Sequence, residues 1–244
     1  MEIRNLRNGG RWWRAGVGCA LLAALLTVLV ALRWHPVLRY DGLVARALHA
    51  QAHAHPELTA LNRLLSDWVW DPWTMRALLA VACGWLWWRG ERRLAGWFLL
   101  AVAAAAVVSQ GVKAAVGRER PVWADPVDTA SYAAYPSGHA LTATVVCGLL
   151  LWLASGSGAG RAGRSGRAGW VTGAAWAVAA VSVLGVGFTR VLLGVHWPSD
   201  VVAGWLLGAV LVAFVALAAS RRAPVAEPAR DQDRSRSQER SRVR

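Results

Sequence analysis

The sequence predicts an all-α fold, a polytopic membrane bundle of about six transmembrane helices, and three observations carry that reading. Hydrophobic residues make up 56% of the 244 and charged residues only 17%. The apolar residues are gathered into separate runs at about 15–32, 73–88, 94–116, 137–154, 170–188 and 198–219, most of them long enough to cross a bilayer as a helix. The charges between the runs alternate. Arginine minus acid gives +3 for residues 1–14, +2 for 89–93, +3 for 161–167 and +4 for the tail, against −1 for 34–71, −1 for 117–136 and zero for 189–200. The positive-inside rule then puts both termini in the cytoplasm and the three weakly charged loops at the outer face.

Taken in order, Arg4, Arg7, Arg11 and Arg14 lead into the first run. The opening has the outline of a signal peptide, but the run is long and Arg33-Trp34-His35-Pro36 offers no small-residue cleavage site, so it is read as an uncleaved span. Residues 34–71 mix charge with apolar residues and predict an amphipathic helix along the interface, with Trp68, Trp70 and Trp73 at headgroup level. His49 and His53 stand four apart, with His55 close by, but no acidic set surrounds them, and a solvated loop face is expected rather than a metal site. Arg76, near the start of the second run, is expected to snorkel to the surface.

The second run closes at Arg89-Gly90-Glu91-Arg92-Arg93, and the third leads into Gly117-Arg118-Glu119-Arg120-Pro121. Residues 156–167 read as a flexible basic linker. The division expected is a basic segment, 1–14, a six-span domain, 15–219, and a polar cytoplasmic tail, 220–244, expected to be disordered. Cys19, Cys83 and Cys147 all fall in apolar runs without paired or metal-ligand spacing, and read as small buried hydrophobes.

A net charge of +13 points at first to nucleic acid, yet the excess lies in segments assigned to the cytoplasm, so no nucleic-acid partner is expected. Of the 27 basic residues, Lys113 alone is lysine. Such heavy arginine use suggests a GC-rich bacterial genome, and the exception suggests a compact ammonium needed at that point.

Three polar motif regions at the outer face define the chemistry. Lys113 and Arg120 are seven apart, on one face if the helix continues that far. Ser137, Gly138 and His139 follow Pro136 at a helix start, where free N–H groups favour an anion. Thr189 and Arg190 are followed by His196 and by Asp200, four residues on, with Pro198 as first residue of the last helix. Three cations, two imidazoles and a carboxylate suit the binding of a phosphate and cleavage of its ester. Ser137 is a helix cap, a phosphate ligand, or both.

These residues resemble the phosphatidic-acid phosphatase type 2 (PAP2) superfamily in its integral membrane branch. Its pattern K-x6-R-P is matched by Lys113 to Arg120-Pro121, P-S-G-H by Pro136-Ser137-Gly138-His139, and S-R-x5-H-x3-D by Thr189-Arg190, His196 and Asp200, threonine replacing the leading serine. The resemblance implies a PAP2/haloperoxidase-like core over about residues 70–219. It also implies a metal-independent lipid phosphatase: His196 is the nucleophile, Asp200 its partner, His139 the acid and base, and Lys113, Arg120, Ser137, Gly138 and Arg190 bind phosphate. No cofactor or metal is implied. The substrate would be a membrane lipid phosphate such as phosphatidic acid, phosphatidylglycerol phosphate or undecaprenyl diphosphate. Phosphotransfer to another acceptor, or a non-catalytic lipid-binding scaffold, are the competing readings. The soluble, vanadate-binding haloperoxidase branch shares the cradle, but six spans argue against it. Oligomeric state is not legible.

Overall fold

The computed structural model describes residues 9–156 and 167–220. The linker at 156–167 and the tail thus fall almost entirely outside the described residues. The described chain is helical, in the order α1 (Gly9–Ala31), α2 (His35–Ala54), α3 (Pro56–Leu64), a π-helical turn (Leu65–Val69), α4 (Pro72–Trp88), α5 (Arg92–Val116), α6 (Gly138–Gly156), α7 (Arg167–Leu192) and α8 (Pro198–Ser220). Five of these, α1, α5, α6, α7 and α8, are long and apolar enough to cross a membrane. The expected second span, α4, has 17 residues, at the lower limit for crossing the hydrocarbon core. Among the described residues length and composition thus carry five spans, with α4 at the limit for a sixth.

Helix boundaries follow local chemistry. Proline opens α2, α3, α4 and α8 at the first or second helical position, where its missing N–H costs nothing. Asp71 caps α4, its carboxylate accepting from the N–H groups of Trp73 (2.6 Å) and Thr74 (3.3 Å). Gly117 ends α5 with φ of 59°, a left-handed conformation that glycine adopts without steric penalty.

α6 sits at the centre, packed against α4, α5, α7 and α8, while α1 lies along α8. Gly9 and Gly16 of α1 approach Leu217 and Ala213, whereas Val30 clusters with Ala203, so the two helices run antiparallel. Tyr135, fully buried, bonds its hydroxyl to Thr27 of α1 at 2.9 Å, and burial pushes its pKa up to about 12. The C-termini of α5 and α7 and the N-termini of α6 and α8 come to one end of the bundle, bringing the three motif regions together.

α2 and α3 pack over that end rather than lying free of it. α2 contacts α7 and α8, and its buried residues Asp41, Ala45 and Ala52 form one stripe. Trp68 and Trp73 are exposed, as headgroup-level residues would be, but Trp70 is not. Its ring fills the space above Gly185 of α7, where a Cβ would lie 2.4 Å away. The interfacial expectation fails for Trp70 because a glycine opposite it opens a slot that an indole fills.

Small residues set the helix spacing. Gly204 and Gly208, four apart on α8, face α6. A Cβ on Gly204 would lie 2.7 Å from the Ser137 carbonyl oxygen, and one on Gly208 would lie 2.6 Å from Thr144 Cβ. Close approach of this kind is what holds helices together where lipid removes the hydrophobic drive. Gly208→Val should lower the thermal midpoint in detergent by an overpacking cost of about 1–3 kcal/mol. Gly173→Ala, with nothing within 4 Å of the new Cβ, should leave it unchanged or raise it.

Candidate active site

The short turn between α7 and α8 reverses the chain so that His196 and Asp200 face each other. His196 Nδ1 lies 3.3 Å from Asp200 Oδ2, and the same oxygen accepts from the Trp197 N–H at 2.9 Å. A carboxylate only accepts, so the imidazole proton sits on Nδ1 and Nε2 carries the lone pair. Nε2 is 3.2 Å from an Arg120 nitrogen. Burial, followed by the nearby charges of Arg190, Arg120 and Lys113, pushes the His196 pKa well below the ordinary histidine range. The ring is thus neutral, with its lone pair directed toward the cations.

Lys113 and Arg120 do reach one place, but not on a shared helix face. α5 stops at Val116, and the chain turns at Gly117 before Arg120. Both side chains grip the same loop: Lys113 donates to the Ala133 carbonyl, and Arg120 to those of Tyr132 (2.9 Å), Ser131 (3.1 Å) and Val195. Burial lowers the Arg120 pKa from its usual value. Arg190 is 5% exposed and donates to Ser66 Oγ at 2.7 Å, while its Nε has no partner.

Gly138 and His139 line the cavity at the start of α6. Ser137 is fully buried, its Oγ 3.5 Å from the Ala140 N–H as a helix cap, and its own N–H donates to the Asp200 carbonyl at 2.9 Å. Cap is therefore the role its observed contacts support. The cavity is about 440 Å³. Lys113, Arg120, Gly138, His139, Arg190 and His196 line it together; Ala105, Ala106 and Leu141 form a more apolar wall, and Pro72, Trp73 and Arg76 of α4 stand beside it.

Several residues of this end escaped the sequence reading. Arg118, given no role in the sequence reading, is mostly buried and donates to Asp200 Oδ1 (2.6 Å), Ser199 Oγ (2.6 Å) and Asp41 Oδ2 (2.7 Å). Asp41, 1% exposed, also accepts from the Ser199 N–H at 2.9 Å and from its hydroxyl. Thr189 keeps the hydroxyl of the family serine but spends it on Asn62 Oδ1 at 2.8 Å. Arg76 lines the cavity instead of simply rising to the surface.

Of the histidines expected on a solvated face, His53 and His55 are exposed, while His49 is partly buried. His49 stacks on Trp123, ring centroids 3.9 Å apart, and meets His53 Nε2 at 3.2 Å. His53 reaches the Asp125 carbonyl at 3.1 Å. Burial lowers the His49 pKa. These contacts hold α2 against the 117–136 loop. Among the described residues no group of three or more His, Cys, Asp or Glu is arranged to hold a metal ion.

The family model described as the PAP2 superfamily matches residues 94–224. An undecaprenyl-diphosphatase of Sulfolobus acidocaldarius is 36% identical over 74 residues, 30% of this chain and 28% of that protein. A decaprenylphosphoryl-5-phosphoribose phosphatase of Mycobacterium tuberculosis is 36% identical over 129 residues, 51% of this chain and 62% of that protein. The chain thus spans less than two thirds of either relative. The crystal structure of a transmembrane PAP2 type phosphatidylglycerolphosphate phosphatase from Bacillus subtilis shares the fold, with a TM-score of 0.69 at 21% identity over 86% of this chain and 98% of that one. With the family model covering more than half of its length and the three motif regions gathered at one end of a helical membrane bundle, the chain belongs to the PAP2 superfamily.

Proposed function

We propose that this protein hydrolyses the phosphate monoester or diphosphate of a membrane lipid, through a phosphohistidine at His196, at the extracytoplasmic face. The observation that carries the reading is the seating of His196: Nδ1 is held by Asp200 and Nε2 faces Arg120 at 3.2 Å, where an arriving phosphoryl group would take the guanidinium and release the lone pair, inside a cavity lined by Lys113, Arg120 and Arg190. The similar proteins are named for action on lipid phosphates, and each named lipid bears a second phosphate besides the one removed. The more apolar wall at α5 and α6 suits a lipid chain, and the positive-inside pattern supports the outward orientation.

In this mechanism Nε2 attacks phosphorus, the bond from phosphorus to the leaving oxygen breaks, and His139 gives that oxygen a proton. Water then attacks phosphorus, passes a proton to His139, and the P–N bond breaks to release phosphate. A neutral imidazole divides one difficult displacement into two easier ones, and His139 serves as acid and then base. The three cations stabilise the phosphoryl oxygens where charge gathers. The residues so arranged supply nucleophile, proton carrier and charge, so the step needs no metal.

Asp41 and Arg118 act on this chemistry through Asp200. With Arg118 shared between two buried carboxylates, loss of Asp41 leaves the pair short of a partner. Arg118 keeps Asp200, but it and Ser199 lose the Asp41 acceptor, and an unsatisfied buried polar group costs about 1–3 kcal/mol. Asp41→Ala should therefore lower kcat by roughly ten- to hundred-fold, with KM little changed because Asp41 does not line the cavity.

The direct test is release of inorganic phosphate from a panel of lipid phosphates by purified protein in detergent, with chelator present. Release is expected from the wild type and none from His196→Ala, while His139→Ala should still bind phosphate but turn over poorly. Substantial release by His196→Ala would end the phosphohistidine reading, and consumption of lipid phosphate without free phosphate would indicate transfer to another acceptor. Because burial and cations lower the His196 pKa, protonation of this ring should not limit kcat/KM until the pH is well below the ordinary histidine value of about 6.5. Removing a neighbouring positive charge raises an imidazole pKa, so Arg120→Ala should move that acid limb to higher pH.

A further inference from the structure

Among the described residues four basic side chains line the cavity, and the proposed phosphoryl transfer uses three. Lys113, Arg120 and Arg190 belong to the motif regions beside His196. Arg76 comes from another wall, one turn inside α4. It is half-buried, and among the described residues it makes no ion pair. Its guanidinium lies over the Trp73 ring, 5.2 Å from the centroid, a cation–π contact that fixes the head without neutralising it. Asp71, the nearest carboxylate in sequence, is committed to the α4 cap through Trp73 and Thr74. No carboxylate lines the cavity.

An arginine in a partly apolar cavity, with its charge uncompensated, is costly unless an anion joins it. One phosphate held at His196 already has three cations for its oxygens. At about 440 Å³ the cavity has the size of a pocket for a drug-sized ligand, so room remains after one phosphate is placed. Trp73, at 75% exposed, stands where an amphipathic ring suits a headgroup.

We propose that Arg76 and Trp73 form a second anion subsite that binds the non-transferred phosphate of a lipid bearing two phosphates. This rests on the phosphatase reading above. With a diphosphate, Arg76 neutralises the phosphate that leaves with the lipid. With a phosphodiester further from the scissile bond, it anchors the headgroup. Lipids with a single phosphate leave the subsite empty and are poor substrates.

The test compares kcat/KM for phosphate release from two-phosphate lipids, undecaprenyl diphosphate and phosphatidylglycerol phosphate, with one-phosphate lipids, undecaprenyl phosphate and phosphatidic acid. Wild type should favour the two-phosphate members by about tenfold or more, the scale of one charge-assisted hydrogen bond. Arg76→Gln, which keeps the stem over Trp73, should erase that preference, while Arg76→Lys should retain part of it. Activity on the one-phosphate lipids should stay within about twofold and serves as the check of folding. A drop confined to undecaprenyl diphosphate assigns the subsite to the leaving phosphate, and one confined to phosphatidylglycerol phosphate to the headgroup. Equal loss on both classes, or no loss on either, overturns the subsite and leaves the phosphatase reading standing. If wild type and His196→Ala alike release no phosphate from any lipid, the phosphatase reading fails, and the subsite with it.

Discussion

One buried carboxylate ties this structure together. Asp200 receives His196 Nδ1, the Trp197 N–H and Arg118 on its side chain, and the Ser137 N–H on its backbone carbonyl. Through these bonds the turn before α8, the loop after α5 and the start of α6 are held to one point. A buried charge costs several kcal/mol of desolvation and persists only with its partners in place. The arrangement is therefore cooperative: each bond is favourable because the others have already fixed the carboxylate.

The cations impose the opposite constraint. Lys113, Arg120 and Arg190 repel one another across a partly dry cavity, and the fold answers with backbone oxygens. Ala133, Ser131, Tyr132 and Val195 offer their carbonyls to Lys113 and Arg120, and Ser66 offers its hydroxyl to Arg190. Dipoles of this sort solvate a charge without cancelling it. The cluster stays cationic, with the Arg190 Nε unpartnered. On the proposed reading, an arriving phosphate would relieve repulsion as well as form bonds, and the relief would grow as negative charge gathers on the phosphoryl oxygens.

How much of this could be read in the chain depended on distance along it. His196 and Asp200 were legible because four residues on a turn into a helix fix a contact. Lys113, Arg120, His139 and Arg190 were legible because the helices between them return to the same end. The helices themselves followed from apolar runs and from proline at their starts. Asp41 was not legible: it meets Ser199 across 158 positions, and in the sequence it is one acid among several in a mixed segment. Arg118 was hidden by its neighbour, since two arginines at a membrane edge look alike until one is buried against a carboxylate. Trp70 went astray for a related reason, because a slot above Gly185 is a property of two helices and not of either alone.

The family model covers residues 94–224, yet the site it describes leans on the chain before it. Asn62 and Ser66 hold Thr189 and Arg190, and Asp41 holds Arg118 and Ser199. His49 and His53 pin the 117–136 loop, whose carbonyls hold the cations. α2, α3 and the π-helical turn therefore form a cap whose polar side chains face the motif residues. A cap joined to the cations by hydrogen bonds, and not by apolar packing alone, fixes their directions as well as their positions. Directional placement is what the proposed phosphoryl transfer would require, because its stabilisation depends on donors aimed at three oxygens at once. The segment that reads as an amphipathic helix along the interface thus also positions the motif residues.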